Sequence, residues 1–368
     1  MLKRRDFLLF SAGGVAYFFL PTRAAWAARE QTKWLILGSG TDFVRIDLTT
    51  SRRETVSTPT KAHSFTILPG EPNQVLGIEK WDRRLSHVDF AKKRLVRSVE
   101  PVGKRNFYGH VCWDPQGRHF ISPQMDPQTA RSYLVWYDRD SFKAVDEVEL
   151  TLGGCHDLAV LPGTDLLAVT SSGLAQTYDN PHGPPVKRVG PSAIIFYDMK
   201  KRKVAQRHEL GRSGVFPGHL RVGSAGQVYF LTSMAVGEKG PVSGGIYDTN
   251  LTQAPREWII PESFRTSLIG EFLSIEIDEK LNRLVASNPT SRQLLTFDLT
   301  TRGFLSATSS ASSGIAWDGE RAILYGFEPG ASTERIEKMD GFTFRRLVTA
   351  KMSSHILLVH GSGKGASV

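Results

Sequence analysis

Five histidines recur at one phase of this sequence, and they carry its clearest chemistry. His63, His110, His156 and His219 each stand seven residues before a glycine: Gly70, Gly117, Gly163 and Gly226. The same phase then falls on Leu273, Gly314 and His355. Imidazole is the commonest transition-metal ligand, and several at one height around a channel could hold copper, iron or zinc. Two other readings compete with a metal or haem contact. Each ring could bond the backbone of a neighbouring repeat, a packing solution copied with the repeat, or a ring could act as an acid or base. No His-x-x-x-His or Cys-x-x-Cys spacing adds a local ligand motif. The two cysteines, Cys112 and Cys155, flank ring histidines in neighbouring repeats. Buried thiols, a disulfide and metal thiolates are the three readings for them.

The elements that must position these residues show in a second series. Seven times a hydrophobic run ends in an apolar residue and an aspartate: Asp47, Asp89, Asp138, Asp198, Asp248, Asp298 and Asp340. The spacings are 42, 49, 60, 50, 50 and 42 residues, the period of a four-stranded propeller blade. Aspartate followed by a basic or turn-forming tail suits the hairpin between a blade's third and fourth strands, so these carboxylates read as structural. The expectation is all-β: a seven-bladed β-propeller with inner strands starting near 63, 110, 156, 219, 273, 314 and 355. The seventh inner strand, His355–Val359, has no successor. The segments Lys33–Gly38, Phe43–Asp47 and Glu54–Ser57 would complete its blade and close the ring.

Because strand direction alternates within a blade, the start of each inner strand shares a face with the loop between strands two and three. The histidines therefore share a face with the longest insertion, Ser171–Ser192, which holds Tyr178, Asp179, Asn180 and His182. Glu79, with Lys80, Trp81 and Asp82, reaches the same face. So do Arg105 and Tyr108 just before His110, Asp157 beside His156, and Glu271 just before Leu273. These are the channel-face candidates.

Residues 1–27 read as an export signal: Arg4-Arg5-Asp6-Phe7-Leu8 is a twin-arginine motif, an apolar stretch follows to Leu20, and Ala25-Trp26-Ala27 offers a cleavage site. The expected location is the periplasm, with no transmembrane anchor left after cleavage. Residues 28–360 form the expected propeller, and the glycine-rich stretch 361–368 a flexible tail. The signal holds four of the 46 basic and one of the 37 acidic residues, so the formal charge of +9 falls to +6. An exported basic protein meets anionic surfaces or acidic proteins rather than nucleic acid. Phosphate-loop, nucleophile-elbow and haem-attachment motifs are all absent from the sequence.

Asn106-Phe107-Tyr108-Gly109-His110 followed by Asp114-Pro115-Gln116-Gly117 resembles an exported bacterial family of about this length, domain of unknown function 1513. The stretch from Leu268-Ile269-Gly270 to Phe297-Asp298-Leu299-Thr300-Thr301 does so too. The resemblance spans the chain beyond the signal and implies a seven-bladed propeller. It also implies periplasmic metal acquisition beside imelysin-type iron-uptake proteins and a dihaem, peroxidase-like protein. Gly154-Cys155-His156-Asp157 departs from the family's Gly-Pro-His-Glu, and the Ser171–Ser192 insertion departs as well. The leading expectation is a non-catalytic propeller that binds copper or iron, or a metalloprotein. A metal-dependent oxidoreductase or lactonase and a pure interaction scaffold are the alternatives.

Overall fold

The computed structural model describes residues 33–150, 153–175, 187–211, 215–234, 243–329, 335–339, 342–349 and 355–360. Seven principal sheets form the blades of a propeller. Their inner strands are Ser64–Leu68, Cys112–Trp113, Cys155–Val160, Val215–Val222, Ser274–Asp278, Gly314–Asp318 and Ile356–His360, taken in order as blades 1 to 7. Each blade packs its two faces against two neighbours, so its middle strands are apolar on both sides. In blade 3, Leu167, Ala168 and Val169 are all buried, as are Ile194, Ile195 and Phe196. Among the described residues an apolar cluster fills each of the seven interfaces, and Ile36, Phe43, Val75, Val88 and Val359 fill the one between blades 7 and 1. Among the described residues the ring thus leaves no bare sheet face or unpaired seam.

Closure is as the sequence implies. Lys33–Ser39 pairs antiparallel with Ile356–His360, Lys33 opposite His360 and Leu37 opposite Ile356. Asp42–Asp47 and Arg53–Ser57 complete blade 7. The turn glycines adopt the left-handed backbone that the tight turns require, at φ +79° for Gly70 and +69° for Gly163. The repeated aspartates cap hairpins. Asp47 accepts from the Thr49 and Thr50 amides, Asp138 from Ser141 and Asp298 from Thr300 and Thr301. Asp248 differs: it accepts from Trp258 Nε1, Arg256 and Arg302, while Asn250 caps that turn. Asp340 lies outside the described residues.

Two blades depart from four strands in chain order. In blade 6, Phe342–Thr349 lies parallel to Ile323–Pro329, and the earlier strand Arg335–Met339 is displaced to the edge. Composition explains the exchange: Phe342, Phe344 and Leu347 are buried, whereas Arg335–Met339 carries three charged residues in five. Burial of the apolar strand outweighs the chain order. In blade 2, Asn106–Tyr108 pairs with Lys80–Asp82, which crosses from blade 1. That crossing brings Lys80 toward the channel. The insertion in blade 3 begins as a hairpin, Leu174–Ala175 against Lys187–Arg188. Residues 176–186 lie outside the described residues, and with them Tyr178, Asp179, Asn180 and His182.

Candidate metal centre

All five phased histidines come together. Ring centroids lie 5.2 Å apart for His63 and His110, 4.7 Å for His110 and His156, 4.9 Å for His156 and His219, and 4.2 Å for His219 and His355. His355 returns to His63 at 4.7 Å. The donor nitrogens of His63, His110, His219 and His355 all lie within 4.8 Å of one another.

Local backbone irregularity aims two of the rings. His156 and Asp157 occupy a register shift between Cys155 and Leu158, and Gly218 and His219 one between Pro217 and Leu220. Bulges of this kind redirect a side chain from a blade interface to the channel. Thr170 ties the two shifts together: its hydroxyl accepts from the Asp157 amide at 2.9 Å and donates to the Gly218 carbonyl at 2.7 Å. Gly109 makes room. A Cβ there would stand 2.7 Å from His63 Cδ2 and 3.1 Å from His156 Cε1, and its φ is +106°.

Outer partners set the tautomers. His156 Nδ1 donates to the Tyr108 carbonyl at 2.7 Å, which leaves Nε2 as a lone pair. His110 Nδ1 lies 3.1 Å from Asp157 Oδ1. Asp157 is itself held by the amides of Leu158 at 2.8 Å and Leu220 at 2.9 Å. This carboxylate–imidazole pairing is the arrangement that orients metal ligands. It turns His110 Nε2 inward, buried and without a hydrogen-bond partner among the described residues.

The innermost contacts cannot all be hydrogen bonds. His219 Nε2 lies 3.0 Å from His156 Nε2 and 2.9 Å from His355 Nε2. One proton on His219 cannot point along both lines, and His156 has none to give. A cation at the centre would satisfy the lone pairs together. Burial holds His63, His156, His219 and His355 well below the usual imidazole range, with nearby Lys80 or neighbouring histidines adding to the effect. These four rings therefore favour the neutral form, the one that binds metal. Burial pushes the Asp157 carboxyl up, but His110 and its other partners outweigh this and leave it below the usual carboxylate range.

The remaining candidates divide. Tyr108 contributes its carbonyl, and its ring centroid lies 6.3 Å from that of His156. Glu271 is exposed and acts on Lys80 only through its charge. Glu79 is buried, accepts from the Lys61 amide at 2.9 Å and is pushed up to about 7, chiefly by burial. Arg105 corrects the sequence reading. Its guanidinium forks onto Glu147 at 2.8 and 2.9 Å and stacks on Tyr133, so the outer strands of blade 2 hold it. Cys112 and Cys155 form no disulfide; both are buried in the apolar cluster between blades 2 and 3. Burial pushes the Cys155 thiol up to about 12, the state of a buried free thiol.

Lys80, placed on this face beside Glu79 by the sequence, reaches the ring itself. Its Nζ lies 3.3 Å from His156 Nε2. The signal for it was its place in the Glu79–Asp82 loop; the crossing strand that delivers it was not legible.

Among solved structures, the fold resembles Kuenenia stuttgartiensis hydrazine synthase, at TM-score 0.59 and 9% identity over 78% of this chain and 86% of that one. It also resembles a hypothetical selenium-binding protein from Sulfolobus tokodaii, at TM-score 0.57 and 12% identity over 76% and 74%. At these identities the likeness shows the fold alone. No curated protein gives a significant match. The family model described as "Protein of unknown function (DUF1513)" matches residues 56–333. The chain belongs to this family of unknown function, DUF1513.

Proposed function

We propose that this propeller is a periplasmic, non-catalytic metal-binding protein that holds one divalent ion, copper in preference to iron, in its five-histidine ring. The convergence of three Nε2 atoms at 2.9 and 3.0 Å carries the reading. With metal–nitrogen bonds of about 2.0–2.1 Å, adjacent ligands at right angles stand about 2.9 Å apart, whereas tetrahedral ligands stand about 3.3 Å apart. Tetragonal geometry with imidazole donors favours copper(II), which also stands highest in divalent affinity. The role supported is a component of a metal-acquisition system with an imelysin-type or haem protein as partner, since the ring offers ligands but no nucleophile.

The test is copper, iron and zinc content of protein purified from the periplasm, then affinity, for wild type and for His110→Ala with His156→Ala. One copper per chain is expected, with affinity falling at least about 100-fold in the double variant. Absence of metal from the wild type together with unchanged affinity in the variant would overturn the proposal. Location is tested separately. Changing Arg4 and Arg5 together to Lys should leave the protein in the cytoplasm, because the export receptor reads the guanidinium pair. Undiminished export of that variant would point to another route.

A further inference from the structure

We propose that the metal takes a small inorganic anion as co-ligand, and that Lys80 is the residue that contacts this anion. The inference rests on the metal reading and concerns what completes the site. In the structure the Lys80 ammonium is directed at His156 Nε2 from 3.3 Å. That lone pair cannot both accept from Lys80 and bind a metal. Once the metal takes it, a partly buried ammonium is left beside a second cation without its acceptor.

The surrounding charges do not resolve the conflict. Two side-chain cations stand near, Lys80 from the crossing strand and Arg221 from blade 4. Three carboxylates face them: Asp157 from blade 3, Glu276 from blade 5 and Glu271. Each is already engaged or distant. Asp157 is spent on His110 and two amides, Glu276 pairs with Arg221 at 3.0 Å, and Glu271 is exposed. Three carboxylates against two side-chain cations offset a divalent ion's charge only in part in a low-dielectric site. A singly charged anion bound to the metal and accepting from Lys80 supplies both the missing charge and the missing acceptor. Its route in is the side of His63 and His110, which keep partial exposure.

The experiment uses full-length protein loaded with copper(II) and titrated with azide, read by the azide-to-copper charge-transfer band and by the EPR spectrum. Wild type should give a saturable band with one azide per copper. Lys80→Met should bind copper with the same stoichiometry and azide at least 30-fold more weakly, while Lys80→Arg should keep azide binding within a few-fold. Chloride should compete with azide in the wild type. Copper-loaded protein with no azide response, or with a response that Lys80→Met leaves unchanged, would overturn the anion site alone. So would a Lys80→Met variant that simply binds copper more tightly in anion-free buffer, since Lys80 would then be a plug. Failure of the wild type to take up copper would overturn this inference and the metal reading together.

Discussion

Metal-free protein should lose its cooperative fold as pH falls from 6.5 to about 5. The cause is the burial of the ring histidines in the channel. His63, His156, His219 and His355 have folded-state pKa values well below the usual imidazole value, because burial penalises the charged ring. Below about pH 6.5 the unfolded chain takes up protons that the fold refuses, so stability falls as pH falls. Each such group contributes a slope of about 1.4 kcal/mol per pH unit at most, and four together at most about 5.5 kcal/mol per unit. His87, lowered to about 4 mainly by burial, adds in the same direction. Glu79, raised to about 7, works the other way: the cost of keeping it ionised is relieved as pH falls, but it is one group against five. A net stability of about 5–15 kcal/mol would be consumed within one to three pH units.

The measurement is the urea midpoint at pH 8, 7, 6 and 5, followed by circular dichroism and tryptophan fluorescence. A midpoint flat above pH 7 and falling steeply below pH 6.5 is expected. Replacing His156 and His219 together by Asn should flatten the profile, and saturating copper should move the loss to lower pH because the ion binds only the fold. A midpoint that stays constant from pH 7 to pH 5 in metal-free protein would show that the rings protonate freely, and hence that they are not enclosed.

Much of this centre was legible because the propeller repeats. A residue at one phase of seven equivalent strands must appear at one height in the channel, so His63, His110, His156, His219 and His355 could be placed before any contact was known. Asp157 was legible for the same reason, as the neighbour of His156. What escaped depends on contacts between residues far apart in the chain. Lys80 reaches His156 because Lys80–Asp82 leaves its own blade to pair with Asn106–Tyr108, and no local pattern announces such a crossing. Arg105 was misplaced because its nearness to His110 in sequence says nothing of Glu147, the carboxylate that holds it. In blade 6 the aspartate phase implied strands in chain order. The burial of Phe342, Phe344 and Leu347 reordered them, a balance decided by packing rather than by period.

Lys33→Met should destabilise the protein by about 3–5 kcal/mol, a cost set by what the substitution leaves behind. Lys33 opens the strand that closes the ring, and its Nζ lies 2.6 Å from Asp318 Oδ1 in blade 6 and 2.7 Å from Glu320 Oε2. Lys33 and Asp318 are only 2% and 0% exposed. Removing the ammonium leaves the buried Asp318 carboxylate without a countercharge on it, held only by the long Glu320 and Arg321 amide contacts to Oδ1, with no hydrogen-bond partner for Oδ2 among the described residues. Glu320, at 64% exposed, remains solvated and adds little. For a chain of this size the expected fall in Tm is roughly 10 °C. Asp318→Asn alone should cost less, because a buried amide is cheaper than a buried charge. Combining Lys33→Met with Asp318→Leu should recover much of the loss, since a well-packed apolar pair often equals a buried ion pair. Thermal unfolding of wild type, Lys33→Met, Asp318→Leu and their double variant closes the cycle. Equal stability of Lys33→Met and wild type would mean that the apolar interface between blades 6 and 7, with Leu35, Leu37, Tyr325 and Phe327, holds the seam by itself.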